Sequence, residues 1–231
     1  METFGSAAVL AGGEGRRMRG LDKLAIELGG ERVAGRIVGT LRLRFDDLIV
    51  VTSRPEAFAG LGVRTLRDTI PGCGPLGGLH AALAASRSEW LYLTACDMPW
   101  QSLEWIDLLE ARIEERGEAE GPGASDEGGG PGERCLGRRL AAFARSGSHL
   151  EPFSAFYSRA ASGLLARALR GCPEGKAPSI QALFRGAAFI GVGEEERAGL
   201  ALAPSLFRSI NTPEELAAAR AGLDGSARKK F

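Results

Sequence analysis

FGSAAVLAGGEGRRMRGLDK, residues 4–23, places a short apolar run directly in front of a loop rich in glycine and arginine. The run Phe4–Leu10 is typical of a buried strand, and the glycines of Ala11–Gly15 let backbone N–H groups approach a phosphate without a Cβ in the way. Arg16 and Arg17 add fork-shaped donors for phosphate oxygens. The stretch therefore predicts a strand followed by a phosphate-binding loop. The alternative is a tight strand-to-helix turn with solvated arginines.

Two familiar nucleotide-binding loops do not fit this stretch. The dinucleotide fingerprint GxGxxG/A requires Gly or Ala at the position that Met18 occupies. The Walker A pattern, GxxxxGK followed by Ser or Thr, matches Gly15 and Gly20 but then meets Leu21 and Asp22. The sequence therefore argues against a P-loop and against a nicotinamide-dependent oxidoreductase on a Rossmann fold.

Lys23 follows this loop in a chain that otherwise uses arginine for positive charge. Among 29 basic residues only four are lysines, and the other three are Lys176, Lys229 and Lys230. A compact ammonium meets phosphate as a point charge, whereas a guanidinium is a planar fork. We therefore interpret Lys23 as a phosphate-binding residue. The alternative is chance codon usage.

Short apolar runs alternate with helical patterns along the rest of the chain. Leu48–Thr52 and Trp90–Thr94 are the clearest strands, and Leu103–Arg116 is an amphipathic helix. This rhythm predicts βαβ units and a mainly parallel sheet, in which ligands bind beyond the carboxyl ends of the strands. We predict further strands at Val63–Leu66, Arg138–Ala144, Phe153–Tyr157 and Ala187–Val192. Further helices are predicted at Arg32–Arg44, Leu76–Ser86, Arg159–Arg170 and Ser179–Arg185, and two more begin at Pro55 and, after the cap Thr212, at Pro213. The charge run Glu194–Arg197 is predicted to be a solvated turn.

Composition bounds the class of protein. The 231 residues suit one large domain or two small ones. Lys plus Arg and Asp plus Glu number 29 each, so the formal net charge is zero, which argues against a general nucleic-acid binder and against a polybasic membrane anchor. No apolar run approaches the ~18 residues of a membrane span, and we do not expect the start METFG to act as a signal peptide. Four scattered cysteines with no CxxC pair indicate free thiols in a cytoplasmic protein.

One segment differs from the rest of the chain. GEAEGPGASDEGGGPGERCLG, residues 117–137, is rich in Gly, Pro and Glu and has almost no apolar content. Such a composition cannot bury enough apolar surface to offset the entropy of ordering the chain. We predict a flexible insertion here within a single domain that spans residues 1–231.

Two aspartates follow predicted strands. Asp97 comes after Trp90–Thr94, and Asp68 comes after Val63–Leu66, so both carboxylates are expected at the carboxyl ends of the sheet. Oxygen ligands at that edge suit Mg²⁺, which usually takes one or two carboxylates together with substrate phosphates. The alternatives are a helix N-cap for Asp97 and a turn before Pro71 for Asp68.

A second glycine-rich segment, Gly74–Leu79 (GPLGGL), opens a predicted helix. Backbone groups at a helix start with no side chains over them could read the edge of a nucleotide base. By itself the pattern is weak, because any Gly-Pro turn looks similar.

Taken together these segments resemble the molybdenum cofactor guanylyltransferase family. The C-terminal half agrees with this resemblance, which covers nearly all of the chain outside residues 117–137. The combination is specific, whereas each piece alone is not. The matching segments are LAGG at 10–13, Arg17-Met18, Asp22-Lys23, Asp68, GPLGG at 74–78, CDMP at 96–99, EPFSAFY at 151–157 and NTPEEL at 211–216.

The resemblance implies an α/β, Rossmann-like nucleotidyltransferase fold with a mainly parallel, doubly wound sheet flanked by helices. It also implies transfer of GMP from Mg·GTP to the terminal phosphate of molybdopterin, with release of pyrophosphate. Molybdenum-insertion proteins and molybdoenzyme chaperones are the implied partners for handover of acceptor and product, with no nucleic acid and no membrane.

The resemblance also implies roles for individual residues. Lys23, Asp97 and Arg17 would be catalytic, with Arg17 and Lys23 on the nucleotide phosphates and Asp97 on Mg²⁺. Asn211 would lie towards the pterin acceptor. The nucleotide would be held by Leu10, Ala11, Gly12, Gly13, Lys23, Thr52, Asp68 and Asp97, with Pro75, Leu76, Gly77 and Gly78 flanking the guanine.

The chain departs from the family pattern at three positions. Gly15 stands where the family usually has Ser, Arg19 where it has Gly, and Thr52 where it often has Asn.

The nearest rival function is that of a sister enzyme that uses CTP or another phosphorylated acceptor, although LAGG rather than LAAG favours guanine. More distant rivals are a nicotinamide-dependent oxidoreductase, which the failed dinucleotide fingerprint disfavours, and a nucleotide-binding module without catalysis, against which the pair Lys23 and Asp97 argues.

Overall fold

A computed structural model describes residues 4–12, 23–70, 72–119, 139–170, 177–200 and 206–227. Within these ranges seven strands form one mixed sheet and two short strands form a separate hairpin. The strands are β1 (Ser6–Ala11), β2 (Glu27–Leu28), β3 (Glu31–Arg32), β4 (Asp47–Thr52), β5 (Arg64–Leu66), β6 (Trp90–Ala95), β7 (Ala141–Ser146), β8 (His149–Ser158) and β9 (Ile190–Val192).

The order of the large sheet is β5-β4-β1-β6-β8-β7-β9. The first four of these strands are mutually parallel, and Val9 pairs with Val50 on one side and with Thr94 on the other. Consequently β1, β4 and β6 end at the same edge, which we call the carboxyl edge. The predicted mainly parallel α/β sheet is confirmed.

On the other side of the sheet β8 is antiparallel to both of its neighbours, whereas the edge strand β9 runs parallel to β7. β8 runs against β6, with Leu93 opposite Ala155, and β7 joins β8 through a two-residue turn. So short a connection can only make a hairpin, and Gly147 supplies the positive φ of 59° that the turn requires. Because of this register, the first residues of β8 lie level with or beyond the carboxyl edge.

Helices cover both faces of the sheet. In β1 the side chains alternate, so that Val9 joins the core beneath one helical layer and Leu10 joins the core beneath the other. Burial on both faces explains the continuous apolar runs in the sequence. The first layer contains α1 (Val33–Leu41), α3 (Leu103–Ala119) and α7 (Pro213–Ala227); the second contains α2 (Gly74–Ala85), α4 (Ser162–Arg170) and α5 (Ile180–Phe184); α6 (Glu194–Arg197) is a single turn.

The edge opposite the carboxyl edge is held by a buried polar cluster. Asp47 is 7% exposed and accepts two 2.8 Å hydrogen bonds from the guanidinium of Arg64. Ser6 donates to Asp47 at 2.9 Å and its hydroxyl lies 3.1 Å from that of Ser88. The cluster links β1, β4, β5 and the turn before β6.

Three predictions need correction. α3 continues to Ala119, so the first three residues of the predicted flexible segment 117–137 are helical, and residues 120–137 lie outside the described ranges. The helix predicted from Pro55 is a 3₁₀ turn, Pro55–Phe58. The charge run Glu194–Arg197 is exposed at its three glutamates, as a solvated turn predicts, but it forms one turn of helix. Glu196 accepts from the Gly193 N–H at 2.8 Å and pairs with Arg112 at 2.9 Å.

In the described part of the chain, no helix combines the length and the apolar character needed to cross a membrane.

Candidate functional site

The carboxyl edge brings the predicted loops together. β1 ends at Ala11 beside Thr52 of β4, and Leu10 lies beside Ala95 of β6. The chain is described again from Lys23, which opens a 3₁₀ turn, Lys23–Ala25. The predicted site residues Gly13 and Arg17 lie outside the described ranges, as does the side chain of Lys23.

The two glycine-rich segments of the sequence touch each other. A Cβ built on Gly78 would stand 3.0 Å from Cδ2 of Leu10, which is closer than ordinary packing allows. Leu10 is 9% exposed and belongs to the same core cluster as Leu76 and Leu79 of α2. The end of β1 therefore packs directly on the first turns of α2, and the glycine at 78 makes this approach possible.

Asp68 lies over the first turn of α2. A Cβ on Gly77 would stand 2.6 Å and 2.7 Å from the two carboxylate oxygens of Asp68. One of those oxygens also accepts the backbone N–H of Ile70 at 2.9 Å, so Asp68 forms the turn that was its alternative role. A carboxylate at the N-terminal end of a helix is stabilised by the orphan N–H groups and the dipole there.

The remaining residues of the GPLGG segment offer mainly backbone. Pro75 stands in the first turn of α2, where its missing N–H costs nothing. Leu76 is 1% exposed, and its side chain belongs to the apolar core. If this segment reads a base, it does so through peptide groups rather than side chains.

Asp97 is carried by a turn that three backbone hydrogen bonds hold in place, two of them to other segments. The N–H of Cys96 donates to the carbonyl of Leu10 at 3.0 Å, which joins the turn to β1. The N–H of Met98 donates to the carbonyl of Ala95 at 3.1 Å, which closes the turn. The carbonyl of Asp97 accepts the N–H of Ile210 at 2.8 Å. Asp97 itself is partly exposed.

The contact with Ile210 brings the NTPEEL segment to this edge. Asn211 follows directly; its N–H donates to Glu215 at 2.6 Å and its side-chain amide donates to Ser209. Thr212 caps α7 as predicted, since its hydroxyl accepts from the N–H of Glu215 at 3.1 Å. The sequence pattern does not single out Ile210, because a backbone contact leaves little trace in residue type. Glu215 completes the capping-box pattern Thr212-x-x-Glu215.

Thr52 is placed at the carboxyl edge but turned into the protein. Its hydroxyl accepts the backbone N–H of Arg54 at 3.0 Å, and the residue is 3% exposed. The side chain thus forms a local turn at the end of β4. Of the predicted nucleotide-binding residues, Thr52 has a structural task that the sequence did not reveal.

The start of β8 adds a titratable pair beyond the carboxyl edge. Burial raises the pKa of the Glu151 carboxyl, and the Phe153 N–H and the nearby His149 oppose this in part. The imidazole of His149 lies 3.8 Å from Glu151, and its other nitrogen lies 3.0 Å from the amide nitrogen of Gln181. Burial also raises the pKa of the Tyr157 hydroxyl, which donates to the carbonyl of Pro152 at 2.6 Å.

The carboxylates at this edge suit a metal that arrives with a ligand. Over the ranges that the structure describes, no group of three or more His, Cys, Asp or Glu side chains could hold a metal ion by itself. Mg²⁺ commonly takes one or two protein carboxylates and completes its shell with phosphate and water. The partly exposed Asp97 can supply one such ligand, so the residues present fit a magnesium–nucleotide complex.

Comparison with known proteins identifies the family. Residues 7–180 match the model of the MobA-like NTP transferase domain. The chain belongs to this family. The probable molybdenum cofactor guanylyltransferase of Peptoclostridium acidaminophilum is 33% identical over 213 residues, which cover 92% of this chain and 87% of the relative. That of Pelotomaculum thermopropionicum is 31% identical over 221 residues, with 96% and 94% covered.

The solved structure of molybdopterin-guanine dinucleotide biosynthesis protein A from Archaeoglobus fulgidus shares the fold. Its TM-score is 0.71 at 22% identity, with 95% of this chain and 99% of that chain covered. As a MobA-like NTP transferase, the chain is a nucleotidyltransferase, and the family resemblance carried by the motifs is confirmed. The hypotheses of an oxidoreductase and of a non-catalytic nucleotide-binding module are wrong.

Proposed function

We propose that this nucleotidyltransferase transfers GMP from Mg·GTP to the terminal phosphate of molybdopterin, giving molybdopterin guanine dinucleotide and pyrophosphate. One observation carries the proposal: at the carboxyl edge four contacts link the motif segments LAGG, Asp68, GPLGG and CDMP to one another and to Ile210, the residue that precedes NTPEEL. These contacts are Leu10–Gly78, Asp68–Gly77, Cys96–Leu10 and Asp97–Ile210. The names of the relatives at 31–33% identity support the same substrates.

The chemistry needs positioning rather than an activated side-chain nucleophile. An oxygen of the acceptor phosphate forms a bond to the α-phosphorus of GTP, and the bond from that phosphorus to the bridging oxygen of pyrophosphate breaks. The acceptor is already an anion, so no Ser-His or Cys-His pair is required. The barrier lies in bringing two polyanions together and in the charge that develops on pyrophosphate.

Each of the site residues has its own role in the proposed reaction. In our proposal the backbone of Leu10–Gly13 cradles the phosphates, Arg17 and Lys23 neutralise them, and the peptide groups of Pro75–Gly78 read the guanine. Asp97 would hold Mg²⁺, which supplies charge neutralisation at the phosphates when bound. Asp68 would contact the nucleotide from above α2, and Asn211 would face the acceptor. Handover of the acceptor by molybdenum-insertion proteins, and of the product to molybdoenzyme chaperones, belongs to the same proposal.

Nucleotide selectivity tests the proposal directly. Thermal unfolding is measured with GTP, CTP, ATP and UTP, each with and without Mg²⁺. A ligand at 100 times its dissociation constant raises the free energy of unfolding by about 2.7 kcal/mol. We expect the corresponding rise in Tm with Mg·GTP and with none of the other nucleotides. Formation of the guanine dinucleotide from GTP and molybdopterin then completes the test. A preference for CTP would assign the chain to the cytidylyl sister enzyme instead. GTP turnover that does not depend on molybdopterin would contradict the proposal that molybdopterin is the acceptor.

A further inference from the structure

Gln101 binds both flanks of the turn that carries Asp97. Its side-chain nitrogen donates to the carbonyl of Met98 at 2.8 Å and to the hydroxyl of Thr94 at 3.0 Å. Its side-chain oxygen accepts from the hydroxyl of Tyr92 at 3.2 Å. The amide thus uses donor and acceptor at once, and two of its three contacts lie within three residues of Asp97.

The partners of Gln101 are buried. Tyr92 and Thr94 are 0% exposed in β6, and Met98 is 2% exposed. Burial raises the pKa of the Tyr92 hydroxyl well above its usual range, so the phenol stays protonated and serves as a donor. Buried polar groups held in this way cost free energy when a partner is removed, so the network has one preferred arrangement.

Gln101 itself has room on one side. It borders a cavity of about 140 Å³ between α1 and the segment that leads into α3, together with Arg36 and Trp100. A side chain of similar length without hydrogen-bonding atoms therefore fits at position 101 without overpacking.

Resting on the proposed guanylyl transfer, we propose that Gln101 is a positioning residue for Asp97. By binding the carbonyl of Met98 and the hydroxyl of Thr94 together, the Gln101 amide sets the direction in which the turn presents the Asp97 carboxylate to the divalent metal of the nucleotide complex. Partners that orient a metal ligand typically change metal affinity by about 10–100-fold when they are removed.

Metal binding is measured separately from turnover. Mn²⁺ is titrated by water-proton relaxation in the presence of α,β-methylene-GTP, whose bridge cannot be cleaved, on the full-length protein and on Gln101→Met. We expect about tenfold or greater loss of Mn²⁺ affinity in Q101M, with metal-free binding of the analogue unchanged. Thr94→Val, which removes one acceptor of Gln101, should give a smaller loss in the same direction and serves if Q101M folds poorly.

A buried serine remote from the site provides the control. Ser88→Ala removes a hydroxyl of the cluster at the opposite edge and is expected to lower Tm while leaving Mn²⁺ affinity unchanged. Equal Mn²⁺ affinity in Q101M, T94V and the unaltered protein would overturn the positioning role. Failure of the unaltered protein to bind Mn²⁺ with the analogue would instead contradict the proposed function.

Discussion

Position 77 is a glycine, and its missing side chain leaves room for a neighbouring carboxylate. The Asp68 carboxylate occupies the space that a Cβ would take, at 2.6 Å. Gly77→Ala must push Asp68 away from α2, but the atoms that move are the end of a flexible, partly exposed side chain. We therefore expect the free energy of unfolding to change by no more than about 1 kcal/mol, the size of the gain in helix propensity. If Asp68 contacts the nucleotide, KM for GTP should also rise about tenfold, the equivalent of one hydrogen bond to a charged group.

Gly39→Ala is the matched control for this prediction. Gly39 also lies in a helix, but an added Cβ meets nothing within 4 Å. That variant should gain about 0.5–1 kcal/mol from helix propensity and keep its KM for GTP. Chemical denaturation and steady-state kinetics of both variants make the comparison. An unchanged KM for GTP in G77A would remove Asp68 from the nucleotide site.

Asp97 and Asp107 allow a clean test of charge at the residue scale. Asp97→Asn keeps the size of the side chain but removes the anionic ligand, and turnover should fall by about 10²–10³, by analogy with loss of one transition-state contact. Asp107→Asn changes an exposed residue of α3 that pairs with Arg44 at 3.3 Å, and turnover should be unaffected. Near-normal turnover in D97N would remove Asp97 from the reaction.

At the scale of elements, the cluster around Asp47 joins strands that the chain separates. Arg64→Met would leave the Asp47 carboxylate buried with fewer donors, so we expect a loss of about 1.5–3 kcal/mol in the free energy of unfolding. Arg112→Met, which breaks exposed ion pairs with Glu115 and Glu196, should lose only about 0–1 kcal/mol. Urea denaturation of both variants tests this. Equal losses would mean that burial of Asp47 contributes nothing.

The raised pKa of Glu151, at the start of β8, predicts that the free energy of unfolding depends on pH. The folded state raises the pKa of Glu151 above its ordinary value of 4.5, so folding favours the protonated form. The stabilisation is present below that ordinary value and is lost as pH rises through the folded pKa. Glu151→Gln should therefore gain stability relative to the unaltered protein as the pH rises from about 4 to about 7. Chemical denaturation of E151Q and the unaltered protein across this pH range measures the difference, and a trend of opposite sign would contradict the burial of Glu151.

At the scale of the whole molecule, the segment between α3 and β7 lies in the sequence between the strands β1, β4, β5 and β6 of the large sheet and the strands β7, β8 and β9. Its composition predicts flexibility from residue 120 to residue 137, whereas residues 117–119 belong to α3. Hydrogen exchange followed by mass spectrometry should show amides of 120–137 exchanging within seconds and those of β1 and β6 protected far longer. Slow exchange throughout the segment would contradict this prediction.

Local sequence by itself determined the element types, the mainly parallel sheet and the family. Apolar periodicity, helix caps and glycine-rich loops act over a few residues, so they can be read without knowing the neighbours. The same locality explains the errors. The end of α3 and the helical turn at Glu194–Arg197 depend on contacts with other elements, such as the ion pair of Arg112 with Glu196.

Only the tertiary structure decided which motifs meet and how. Asp68 against Gly77, Leu10 against Gly78 and Asp97 against Ile210 join segments that no periodicity links. The inward turn of Thr52 and the hydrogen bond from Gln101 to Met98 were likewise invisible, because a hydroxyl or an amide in the sequence does not show which backbone group it will bind. Strand order and side-chain packing set these pairings, since they are properties of the assembled sheet rather than of any one segment.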